Sequence, residues 1–126
     1  MTEQKSVPGE IVWHDLTVPN ADKVRDFYQA VVGWTAKSFD MGEYADYTMH
    51  ASEPADAVAG VCHSRGVNAE LPPAWLMYVR VADLDASVAA CEQRGGQVVV
   101  KTRTTGQSRY CVIRDPAGAV LALLQD

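Results

Sequence analysis

Ala57-Val-Ala-Gly-Val-Cys62 and Ala119-Val-Leu-Ala-Leu-Leu124 are one short apolar run written twice, 62 positions apart. Self-similarity at a fixed spacing is the mark of a fold assembled from repeated units, and the echo extends backwards from both runs. An apolar strand over Ile11–Val18 leads through Val18-Pro-Asn20 into a helical stretch that closes on Gly33-Trp34. A second strand over residues 76–81 leads through Val81-Ala-Asp83 into a helical stretch that closes on Gly95-Gly96. The closing glycines follow the strand-end valines by 15 and 14 residues. Each half therefore reads as strand, helix and three further strands. The spacing is too long for a solenoid repeat and suits two supersecondary units. Each unit buries one sheet face under its own helix and leaves the other face free to enclose something.

Composition bounds the rest. A chain of 126 residues, 48% hydrophobic and 21% charged, is of the size and composition of one globular domain. Residues 1–9 are polar, contain a Pro-Gly pair and lack periodicity, which predicts a flexible tail before a single domain over 10–126. Within it, module one spans about 10–63, a linker rich in turn formers spans 64–73, and module two spans 74–126. No apolar run approaches the roughly 20 residues of a membrane span, and no leader pattern opens the sequence, so a cytoplasmic location without a membrane partner is expected. A net charge of −5 without a basic cluster beyond Lys101-Thr-Arg103 argues against nucleic acid and slightly favours neutral or cationic ligands. Three cysteines without C-x-x-C spacing, Cys62, Cys91 and Cys111, fit neither a disulfide framework nor a zinc knuckle, and Cys91 reads as a small core residue.

The elements follow from periodicity. Side chains alternate along a strand, so Ile11, Trp13, Asp15 and Thr17 share one face of the first strand. Val12, His14, Leu16 and Val18 share the other, which is assigned to the helix side. Asn20 offers an N-cap to a helix over 21–32 with Val24, Phe27, Tyr28 and Val31 at helical spacing. Residues 34–39 and 44–50 form a hairpin across Asp40-Met-Gly42, and 57–62 form the fourth strand. In module two, 75–81 is a strand and Asp83 or Asp85 caps a helix reaching about Arg94, with Leu84, Val88 and Cys91 on its inner stripe. Strands over 97–103, 108–114 and 119–124 complete it. The last two are joined by Asp115-Pro-Ala-Gly118, with Asp, Pro and Gly placed as a type I turn requires.

Phe27-Tyr28 followed by Gly33-Trp34, the Val81-Ala-Asp83 helix start, Gly95-Gly96 and the closing Asp115-Pro-Ala-Gly118, in that order, resemble the glyoxalase/bleomycin-resistance/dioxygenase group, the vicinal oxygen chelate superfamily. The resemblance covers about residues 10–125. It implies an α+β fold of two βαβββ modules forming a cupped, mostly antiparallel mixed sheet around a cavity, with homodimerisation as the group's habit.

It also implies where a divalent metal would sit, on four side chains from the first and last strands of each module. Counted from the matching motifs, those positions are Trp13 and Gly60 in module one, and Leu76 and Ala122 in module two. None carries a metal donor, so no metal ligand and no cofactor is expected. His14 stands one position from a ligand place, but a one-residue step turns a strand side chain to the opposite face. It is expected to be core or helix-facing unless a bulge intervenes. His63 is expected at a solvated strand end, and His50 at the end of the third strand without a close acidic neighbour.

The free face then offers Trp13, Asp15, Thr17, Gly60 and Cys62 from module one, with Leu76, Tyr78, Arg80 and Ala122 from module two. An apolar lining with a few polar groups is the composition of a small-molecule site. Trp13 either stacks on a planar or cationic ligand or fills the volume of the lost metal site. Asp15 and Tyr78 are the candidates for metal-free acid–base chemistry, whereas an Asp15–Arg80 ion pair would make Asp15 structural. The leading expectation is a protein that binds a small aromatic or amphipathic molecule in a metal-free cavity. The alternative is a lyase, isomerase or dioxygenase using one divalent metal ion through displaced ligands such as His14 and Asp15. A regulatory module working through its outer helices is a third.

Overall fold

A computed structural model of the chain describes residues 7–65 and 69–126, so the first six tail residues and part of the linker lie outside the described residues. The chain divides into two compact units: Trp13–Trp75, and Leu76–Asp126 together with the residues up to Val12.

The first module carries β1 (Ile11–Val18), α1 (Ala21–Val31), β2 (Thr35–Asp40), β3 (Ala45–His50) and β4 (Ala57–His63). The second carries β5 (Trp75–Arg80), α2 (Leu84–Gln93), β6 (Gln97–Thr105), β7 (Ser108–Arg114) and β8 (Val120–Gln125). The repeat read from the sequence is a repeat of hydrogen-bond ladders. β1 lies parallel to β4, which is antiparallel to β3, which is antiparallel to β2. In the same sense β5 lies parallel to β8, β8 antiparallel to β7, and β7 antiparallel to β6. Asp15 faces Gly60 across the first parallel pair, and Tyr78 faces Ala122 across the second. Positions matched by counting are thus matched in space. The fold is α+β, two βαβββ modules.

Parity holds on both sheets. Leu16 and Val18 pack with Ala21, Tyr47, Met49 and Val61 into a core under α1, joined by Val24 and Tyr28. Under α2 the core is Leu84, Cys111 and Leu123, with Val88, Ile113 and Leu121 against it. Alternation sends Asp15, Gly60 and Cys62 in one sheet, and Tyr78, Val112, Ala122 and Leu124 in the other, to the face away from the helix.

The two helices differ from the expectation in instructive ways. Asn20 makes no side-chain cap hydrogen bond, because its φ of −115° and ψ of 53° leave its amide side chain short of the first-turn N–H groups. Asp83, in extended backbone, accepts from the Ala86 N–H at 3.1 Å and is the working cap. Phe27 and Val31, expected on the inner stripe of α1, are 55% and 64% exposed. Ala21, Val24 and Tyr28 already fill the sheet-facing stripe; Phe27 lies one position, about 100°, round the helix from Tyr28, and Val31, close to the stripe in angle, is the last residue of the helix. The Asp115 turn forms as read: its carboxylate accepts from the Ala117 and Ala119 N–H groups, and its carbonyl from Gly118.

Candidate functional site

On the N-terminal unit the free face is built around Gly60. A Cβ placed there would lie 2.9 Å from Asp15 Oδ1 and 3.6 Å from Trp13 Cζ2, so both side chains lean over the space a larger residue would take. Thr48 stands opposite Gly60 on β3, and Asp46, two residues earlier, completes an acidic end of the same face.

Between the carboxylates lies Cys62. Its thiol donates to Asp15 Oδ1 at 3.3 Å, and burial, with Asp15 and Asp46 close by, pushes its pKa well above the ordinary 9.0. The sulfur therefore stays a protonated donor and is no nucleophile at neutral pH. Asp46 Oδ1 also accepts from the His63 backbone N–H at 2.8 Å and lies 3.3 Å from His63 Nδ1.

One of the histidines departs from expectation. His63 is not at a solvated end: its side chain is 15% exposed, held by Asp46 and packed edge-on to Tyr44. His50 is buried, with Nδ1 at 2.8 Å from the Ala55 carbonyl and Nε2 at 2.9 Å from Thr48 Oγ1. Because a carbonyl only accepts, Nδ1 carries a proton, and Nε2 shares its hydrogen bond with the Thr48 hydroxyl. His14 is exposed and keeps the helix-side parity of Leu16 and Val18 on β1. With Trp34, Val58, Ala59 and Trp75 it lines a cavity of about 420 Å³ beside the aromatic cluster in which Trp75 Nε1 donates to Tyr28 at 3.1 Å.

On the C-terminal unit, Leu76 and Ala122 are fully buried, and the Tyr78 ring lies 6.4 Å from that of Tyr110. Arg80 binds Asp126 through two nitrogens at 2.9 and 3.0 Å and Glu10 at 3.0 Å, because Glu10 lies beside it through the Arg80 N–H to Glu10 carbonyl bond. Thr17, expected on the ligand face, is 6% exposed and pairs with Cys62.

The residues at the four metal positions do not fit an ion. The Trp13 indole N–H only donates, Gly60 has no side chain, and Leu76 and Ala122 are buried hydrocarbon. Among the described residues no group of three or more His, Cys, Asp or Glu side chains converges as a metal holder.

Residues 10–123 match the sequence profile of the Glyoxalase/Bleomycin resistance protein/Dioxygenase superfamily, and the chain belongs to that superfamily. It is 30% identical over 118 residues to glyoxylase CFP32 of Mycobacterium bovis, a match covering 93% of this chain and 44% of that protein. To the anthracycline biosynthesis protein DnrV of Streptomyces peucetius it is 29% identical over 128 residues, covering 92% and 46%. The chain thus spans about half the length of the relatives it matches. Methylmalonyl-CoA epimerase from Mycobacterium tuberculosis shares the fold, with a TM-score of 0.55 at 18% identity over 98% of this chain and 92% of that one. No described helix is long and apolar enough to cross a membrane.

Proposed function

We propose that the chain binds a small planar aromatic or amphipathic molecule on the free faces of its sheets, without a metal ion. The observation that carries this reading is Gly60, overhung by Asp15 and Trp13 where the superfamily resemblance places a ligand to the metal. An aromatic wall beside a vacated coordination position gives stacking area and no Lewis acid. The kinship with DnrV supports an aromatic ligand, since an anthracycline is a planar polycycle. The reading includes a cytoplasmic homodimer, for which exposed Phe27, Val31 and Val32 offer an apolar strip.

Two measurements test it. Elemental analysis after dialysis against zinc, nickel, manganese and iron is expected to give far less than one metal per chain. Titration with a soluble anthraquinone is expected to quench tryptophan fluorescence saturably, with at least tenfold weaker binding in Trp13→Ala. One metal per chain, or binding indifferent to Trp13, overturns the reading and makes a metal-dependent lyase, isomerase or dioxygenase the better one.

A further inference from the structure

Arg103 stands apart from the arginines that hold carboxylates. Arg25, Arg65, Arg80 and Arg109 each hold a carboxylate. Arg103 Nε is shut off from solvent and has no hydrogen-bond partner among the described residues. Buried donors are nearly always satisfied, so one left open asks for an acceptor from outside the chain.

The backbone is shaped to present it. Val100 pairs with Val112 and Arg103 pairs with Tyr110, so three steps along β6 answer two along β7. That extra residue is a bulge, and it reverses the parity of the strand beyond it. Without it Arg103 would turn to the face opposite Val100; with it, Arg103 joins Tyr110. Register continues the row across the sheet through Leu124 to Arg80. The neighbouring row is Val112, Ala122 and Tyr78. Arg80 is neutralised by Glu10 and Asp126. A guanidinium whose Nε has no partner among the described residues therefore stands beside an apolar floor with two tyrosine rings.

We propose that Arg103 is a ligand-anchoring residue that takes the carboxylate of an aromatic acid, whose ring lies along Tyr110 and Tyr78. The planar guanidinium edge matches a carboxylate in two parallel hydrogen bonds. The inference rests on the aromatic-ligand reading above and narrows it.

The test is calorimetric titration of the full chain with naphthalene-2-carboxylate and with its neutral carboxamide. The carboxylate is expected to bind at least tenfold more tightly, and the ratio to fall to about one in Arg103→Met and to an intermediate value in Arg103→Lys, which keeps the charge and loses the fork. Arg103→Met is also expected to melt no lower than the wild type, since it removes an unanswered buried donor. Equal affinity for acid and amide overturns the role of Arg103 and leaves the aromatic reading standing. If neither compound binds, both fall. Inorganic phosphate binding as tightly as the carboxylate, and equally dependent on Arg103, overturns the assignment to aromatic acids. The wild-type comparison of acid with amide decides the matter even should a variant fail to fold.

Discussion

The two units are the same ladder carrying opposite chemistry. Asp15 over Gly60 and Tyr78 over Ala122 occupy equivalent register positions. Yet the first sheet presents Asp15, Asp46, Thr48 and Cys62, while the second presents tyrosines, valine and Arg103. Below the sheets the helices differ too: α2 is pinned by fully buried Leu84, whereas α1 buries only Ala21 outright and leaves Phe27 and Val31 in solvent. The difference teaches that the repeat constrains parity, turns and glycine placement, because the ladder needs those. It leaves the outward face free to diverge, because no backbone hydrogen bond depends on it.

The sharpest way to break the comparison is to remove the helix anchors. Leu84→Ala should cost about 2–5 kcal/mol in urea unfolding, by lost burial plus the cavity left behind. Val31→Ala on α1 should change stability by no more than about 0.5 kcal/mol. A large effect at Val31 would mean that its exposed side is covered by a partner.

The glycines come next. A Cβ on Gly96 would meet Cys91 Sγ at 2.5 Å and the Arg114 carbonyl at 2.9 Å, and a backbone oxygen cannot swing away. Gly96→Ala should therefore cost about 3 kcal/mol by overpacking. Gly60→Ala meets only the tip of Asp15, which can rotate at the loss of its Cys62 bond, and about 1 kcal/mol is expected. Equal losses in thermal or urea unfolding would show that the Asp15–Cys62 contact is as rigid as backbone.

Alkaline pH separates the thiols. Burial, with Cys91 nearby, pushes Cys111 up from the ordinary 9.0 to about 11, so the fold favours its neutral form and the unfolded chain loses the proton first. This contribution is complete below about pH 9 and is lost as pH climbs to about 11, at roughly 1.4 kcal/mol per pH unit. Cys62 is raised further, so its contribution goes on declining above that range. Unfolding curves across pH 8–11 should be steeper for wild type than for Cys111→Ala; identical slopes would remove the assignment.

The smallest contrast is at the caps. Asp83→Ala should cost about 1 kcal/mol, and Asn20→Ala only a few tenths, because only Asp83 bonds its first turn. Equal costs by thermal unfolding would mean that Asn20 caps α1 in solution.

The amino-acid sequence by itself determined the repeat, the order of elements, the faces of β1, β4, β5 and β8 and the Asp115 turn. All of these follow from short-range pattern, where period and turn chemistry act within a few residues. Only the tertiary structure decided the partners. Asp46, Thr48 and His50 entered the first face through the β3–β4 register, Arg80 went to Asp126 and Glu10, and a one-residue bulge turned Arg103 toward Tyr110. A register or a bulge is chosen by the summed packing and hydrogen bonding of two strands distant in sequence, so no local reading of either strand contains it.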